Sequence, residues 1–152
     1  HMQNTIRLYK TEDFEPITRL WFDAQTVAMP DMMARMDYKF DEAQAYFRNV
    51  IVLETQIWVY ERDGVPLGFI AIQGELIDRL YVHPAYHRQG IGQALLVKAR
   101  ELLPEHIWLY THVANKMARA FYEKNDFIAE GFGVSPAPES EPDVEYHWRA
   151  KK

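Results

Sequence analysis

The chain contains no cysteine. That excludes disulfide staples, a thiol nucleophile and cysteine-ligated zinc. No apolar run approaches the roughly 20 residues of a membrane span, and no signal-peptide pattern opens the sequence, so the expectation is a cytoplasmic protein without a membrane partner. Basic charge is in short supply: 17 Lys and Arg stand against 22 Asp and Glu, a net charge of -5. A balance of that sign argues against nucleic acid held on a broad basic face. The acids in turn avoid one window. From Arg79 to Arg100 there is no Asp or Glu, while Arg79, Arg88, Lys98 and Arg100 are all present. An otherwise acidic chain is locally prepared there for an anion.

The 152 residues suffice for one domain that buries roughly two thirds of its unfolded surface. His1 and Met2 read as an expression-tag remnant and 3–152 as the single domain. TIRLY (5–9) reads as a first strand, and Thr11 as the cap of a helix with an apolar stripe at Phe14, Ile17, Leu20 and Phe22. A second helix starts near Asp41. Between them lies MPDMMARMDYKF, with four of the six methionines. QIWVYE and PLGFIAIQ, joined at Asp63-Gly64, read as an antiparallel hairpin. ELIDRLYV is the next strand. IGQALLVKARELL keeps helical spacing until Pro104, IWLYTHV is a strand, and a short helix runs from Asn115 to about Lys124. DFIAEGFG and DVEYHWRA close the chain as two strands around a loop with Pro136, Pro138 and Pro142. The fold class expected is α/β: a mixed, mostly antiparallel sheet of about seven strands flanked by about four helices.

Gly90 and Gly92 lie where a strand hands over to a helix, in VHPAYHRQGIGQALL. A helix start leaves backbone N–H groups without partners and carries partial positive charge, which suits a phosphate. A dinucleotide fingerprint needs a third glycine where Leu95 stands, and a nucleotide-triphosphate loop needs a Lys-Ser or Lys-Thr that is absent. By itself the Gly-x-Gly left over is equally an ordinary turn.

LYVHPAYHRQGIGQALL resembles the acyl-CoA-binding motif of the GNAT superfamily of N-acetyltransferases, and ANKMARAFYEKNDF resembles that family's later segment. His87 stands where the family usually has Arg or Gln, and Asp126 where it commonly has Gly. The resemblance implies a GNAT-like fold and acetyl-CoA as co-substrate, with no metal. It places the pyrophosphate on the backbone of Arg88, Gln89, Gly90, Ile91, Gly92 and Gln93. It lays the pantetheine arm along Leu80, Tyr81 and Val82, whose N–H groups are candidates for polarising the thioester carbonyl. It further implies Asn115 as a CoA contact and Tyr122 as the proton donor to the leaving sulfur. Seven residues of helix put those two on one face, roughly 10 Å apart along the axis. The residues alone leave Asn115 equally an N-cap and Tyr122 equally a core aromatic.

An alkylamine is mostly protonated at neutral pH, so attack needs a proton acceptor. Glu75 and Asp78 are the candidates, three apart on one strand and so on opposite faces, with Asp78 favoured by the resemblance. His83 and His87 are four apart, but Pro84 argues against the helix that would make them a metal pair. Met29 to Met36 suit helix packing or an adaptable pocket. Glu139, Glu141 and Asp143 form an acidic loop able to draw in a cation. The expected partner is an amine acceptor, small molecule or protein, and a homodimer is left open. The competing function is a non-catalytic acyl-CoA-binding module of the same fold.

Overall fold

The computed structural model describes residues 2–152, and its elements follow the expected order. Seven strands form one sheet in the order β1-β2-β3-β4-β5-β7-β6: β1 Asn4–Leu8, β2 Gln56–Arg62, β3 Val65–Gln73, β4 Leu76–Val82, β5 His106–His112, β6 Ile128–Val134 and β7 Pro142–Arg149. Every pairing is antiparallel except β4 with β5. That exception follows from the helix between them, since a crossover connection returns the chain in its original direction.

The helices are α1 Phe14–Ala28, α2 Pro30–Met36, α3 over 40–54, α4 Ile91–Leu102 and α5 Lys116–Lys124. α3 is helical throughout but widens to a π segment at Phe47–Ile51, which turns Phe47 and Ile51 into the core. The methionine stretch, which the sequence places between two helices, is itself a helix, α2, with Pro30 at its first turn, where a missing N–H costs nothing. Thr11 does not cap α1. It opens a short 3-10 turn, and Asp13 satisfies the entry instead, accepting from the backbone of Lys10 (2.9 Å) and from both terminal nitrogens of Arg7 (2.7 and 2.8 Å).

β3 is buried on both faces, which explains its nearly continuous apolar run. Ile70 and Ile72 face Ile91, Leu95 and Leu96 of α4, while Phe69 faces Ile17, Leu20 and Trp21 of α1 and Phe47 of α3. Two cores therefore sandwich one sheet. At about 25 cal/mol per Å² of buried apolar surface they supply the main drive to fold.

Two irregularities interrupt the sheet around β4. β4 and β5 pair only at Leu76 with Trp108, so the strands part towards their C-terminal ends and the edge of β4 runs on without a neighbour. The β3–β4 register also slips by one, because Ala71 lies opposite Arg79 but Ile72 lies opposite Ile77. Asp78 is the extra residue. A bulge of this kind re-aims side chains beside it.

Candidate active site

The parting of β4 from β5 opens a cleft with two lobes. The turn-side lobe, about 590 Å³, lies against β4, the glycine turn and α5. The loop-side lobe, about 730 Å³, lies among α1, α2, β4, β5 and the β6–β7 loop. Leu80, Tyr81, Asn115 and Tyr122 line both. The lobes therefore meet at the residues that the sequence singles out on β4 and α5.

The turn-side lobe is built mostly from backbone. α4 starts at Ile91 with Gly90 as its N-cap, and Gly90 has φ +81°, a left-handed conformation that glycine takes without strain. No side chain caps this end, and the first intrahelical bond is Ala94 N–H to Gly90 O at 3.0 Å. The N–H groups of Ile91, Gly92 and Gln93 are thus left at the positive end of the helix dipole. Gly92 lies beside the Phe121 ring, where a Cβ would make only an ordinary contact at 3.5 Å, so its bare backbone faces the lobe without being required by packing. His87 Nε2 lies 3.2 Å from Val82 O, and His83 Nδ1 accepts from Ala85 N–H at 3.1 Å, so each histidine serves the turn. Arg88 and Lys124 line the lobe, and no carboxylate does. Gln89 departs from expectation. Its Oε1 accepts from Arg62 at 2.8 Å on β2, and the residue does not line the lobe.

The loop-side lobe is built from side chains. Asp78, Glu139, Asp143 and Glu145 line it, with Arg79 the one arginine or lysine. Only Asp78, Glu139 and Asp143 stand out in the sequence; Glu145 escapes notice there, although the β alternation of DVEYHW puts it on the same face as Asp143. Met29 and Met32 line the lobe too, and they pack with Met33 in a cluster of their own. Glu141 does not line it; it pairs with Arg35 at 2.7 Å and ties the loop to α2. Glu75 is the correction on β4. It lies in the β3–β4 turn, before the strand begins, and its Oε1 is 2.8 Å from His106 Nδ1, so it lines neither lobe.

Asn115 and Tyr122 do share one face of α5. Asn115 Oδ1 caps the helix, accepting from Ala118 N–H at 3.1 Å, and the residue still borders both lobes. Tyr122 is buried, packed edge-on against Phe121 and Phe127. Burial raises its pKa well above the ordinary 10.0, and the nearby phenol of Tyr81 adds to the rise. Tyr81 is likewise raised, chiefly by burial, with Arg79 pulling the other way. Both phenols therefore keep their protons at neutral pH.

Comparison with known proteins finds a matching family and relatives over most of the chain. The Acetyltransferase (GNAT) domain family matches residues 54–129. The peptidyl-lysine N-acetyltransferase YjaB of Salmonella typhimurium is 37% identical over 136 residues, 86% of this chain and 87% of that protein. The peptidyl-lysine N-acetyltransferase YiaC of Escherichia coli is 29% identical over 123 residues, 80% of this chain and 82% of that protein. The solution structure of apo YjaB from Escherichia coli superposes with a TM-score of 0.81 at 22% identity, over 95% of this chain and 97% of that one.

Proposed function

The chain belongs to the GNAT acetyltransferase family, and on that premise we propose that it passes the acetyl group of acetyl-CoA directly to a cationic amine seated in the loop-side lobe. It is an acetyl-CoA-dependent N-acetyltransferase. The observation that carries the finer reading is the meeting of two oppositely charged lobes at Tyr81 and Tyr122.

The turn-side lobe fits the cofactor. The unpartnered N–H groups of Ile91, Gly92 and Gln93, with Arg88 and Lys124 nearby, suit a diphosphate. The unpaired edge of β4 at Leu80, Tyr81 and Val82 suits an amide-bearing arm that lies like a strand. When bound, acetyl-CoA supplies an acetyl group activated as a thioester.

The remaining chemistry falls to side chains. Asp143 and Glu145 attract the ammonium group, and Asp78, turned into the lobe at its bulge, takes the proton that frees the nitrogen lone pair. Tyr122 Oη holds its proton because the phenol is buried, and gives it to the departing sulfur at the junction of the lobes. Asn115 Oδ1 fixes the start of α5 and so the position of Tyr122 two turns on. Without a cysteine, no acyl-thiol enzyme stands between donor and acceptor. The relatives named for peptidyl-lysine make a lysine amine the first acceptor to try.

The test is a screen of amines that follows release of free CoA, alongside thermal melts with CoA, acetyl-CoA, NADH and ATP. A ligand bound only by the native state raises the melting temperature by mass action. CoA and acetyl-CoA should raise it well beyond NADH or ATP, and at least one amine should drive CoA release. CoA stabilisation with no acceptor in a broad screen would favour the binding-module alternative.

A further inference from the structure

Arg7 on β1 and Arg79 on β4 are both partly buried, and carboxylates hold them differently. Asp13 takes the two terminal nitrogens of Arg7 at 2.7 and 2.8 Å, and Glu61 approaches Nη2 at 3.0 Å, while its Nε is buried without a hydrogen-bond partner among the described residues. Arg79, at a similar side-chain exposure (23% against 21%), has one loose carboxylate contact among the described residues, Asp78 Oδ2 at 3.5 Å from Nε. That Nε too is buried without a hydrogen-bond partner among the described residues, so what sets Arg79 apart from Arg7 is the lack of a close carboxylate. The guanidinium lies 5.4 Å from the Trp21 ring centroid and 5.5 Å from that of Tyr46, so aromatic faces hold it in place. Burial works against its charge, but the phenol of Tyr81, with Asp78 and Tyr46, outweighs that and keeps the pKa above the usual value.

A desolvated cation so poorly paired is costly, and a protein retains one where a ligand completes it. Arg79 lines the loop-side lobe and not the turn-side lobe, so the CoA diphosphate is not the anion it awaits. The same lobe holds Gln25, whose buried Oε1 also has no partner and can accept from an ammonium group. It also holds the acids of β7 and its loop. The lobe therefore offers a planar fork of N–H donors at Arg79 on β4, with Asp78 beside it, and further negative charge on β7 and its loop. A planar guanidinium matches a carboxylate in two parallel hydrogen bonds.

We propose that Arg79 anchors a carboxylate carried by the acceptor, so that the amine acetylated belongs to a small zwitterion of the amino-acid class rather than to a polyamine or a lysine within a polypeptide. This rests on the acetyltransferase reading of the same cleft. A polyamine would leave Arg79 facing further positive charge, and an internal lysine would bring no carboxylate at that distance from its amine.

The experiment measures kcat/KM for free amino acids, lysine included, each against its own carboxamide, with spermidine and a peptide carrying an internal lysine as further arms. A bidentate charged pair should favour the acids over their amides by roughly ten- to a hundredfold. Arg79→Gln should bring that ratio close to one, and Arg79→Lys, which keeps the charge but loses the fork, should hold it at a few-fold. Equal rates for acids and amides would overturn the proposal, as would acetylation confined to spermidine or the peptide, or no acetylation of any carboxylate-bearing amine. A full acid preference kept by Arg79→Lys would overturn the fork. If Arg79→Gln does not fold, the parent's own acid-to-amide ratio decides. Melts with CoA separate the two levels: loss of CoA stabilisation sinks the acetyltransferase reading, whereas a retained shift with no acid preference sinks this inference alone.

Discussion

The turn-side lobe, to which the proposal gives the acetyl donor, carries Arg88 and Lys124 and, among the described residues, no carboxylate, whereas the loop-side lobe, proposed for the acceptor, carries Asp78, Glu139, Asp143 and Glu145 around one arginine. They differ in construction as much as in charge. The donor lobe is made where one strand, one turn and one helix start meet, and its binding groups are largely N–H donors that no side-chain substitution removes. The acceptor lobe gathers side chains from α1, α2, β4, β5, β6 and β7. A backbone site suits a cofactor that never changes. A side-chain site can be re-specified one residue at a time.

The largest effect should come from the junction that both lobes share. Tyr122→Phe keeps the packed ring but removes the proton, so kcat should fall roughly a hundredfold, about 2.7 kcal/mol of transition-state stabilisation, with acetyl-CoA affinity nearly unchanged. Steady-state kinetics beside direct cofactor titration measure this. The direction of the Tyr122 shift adds a pH test. A phenol whose folded pKa is raised above 10.0 stays protonated throughout the range below that value, so the alkaline limb of kcat should contain no step from Tyr122 below pH 10. An alkaline loss below pH 9 that vanishes in Tyr122→Phe would place the phenol outside its buried site and contradict the geometry.

Legibility in the sequence divides along the same line. The seven strands and the parallel β4–β5 step are legible because each is encoded by contiguous residues, alternation within a strand and an amphipathic helix between two strands. The residues bordering the turn-side lobe are instead singled out by a family resemblance, since a glycine pair is equally a turn, Asn115 equally an N-cap and Tyr122 equally a core aromatic. The acceptor lobe is legible only in part. Asp78 reads as a regular strand residue, yet it projects from a bulge, and a bulge depends on a register that one strand alone does not encode. Glu75 looks equivalent to it and is taken up by His106, a partner 31 residues away. Arg79 reads only as one basic residue of the acid-free window; its surroundings depend on Trp21 and Tyr46, which α1 and α3 bring beside it. Residues whose roles are set by distant partners leave little local trace.

A smaller effect should separate the lobes by charge. Asp143→Asn with Glu145→Gln should raise the acceptor KM by about tenfold at low ionic strength and by less in high salt, because partly exposed charges are screened within roughly 10 Å at 0.1 M. Acetyl-CoA affinity should not change, since neither residue lines the donor lobe. Kinetics at two salt concentrations decide it. A matching loss of cofactor affinity would mean that the lobes are coupled rather than independent.

The smallest effect tests whether the donor lobe is as dependent on backbone as its construction implies. Arg88 is exposed, so removing its charge should cost little beside the N–H groups of Ile91, Gly92 and Gln93. Arg88→Ala should weaken CoA binding only a few-fold, and Arg88→Glu somewhat more, with both losses shrinking as salt rises. Gly90→Ala is the contrasting variant. It adds no clash, since nothing lies within 4 Å of where its Cβ would be, but it opposes φ +81°. A left-handed non-glycine residue costs roughly 1–2 kcal/mol, so its penalty should appear as a salt-independent loss of stability or of CoA affinity. Titrations of both variants at low and high ionic strength, with melts of the free proteins, distinguish them. If Arg88→Ala loses more affinity than Gly90→Ala and does so regardless of salt, the donor lobe depends on a side chain after all, and the contrast between the two lobes would have to be redrawn.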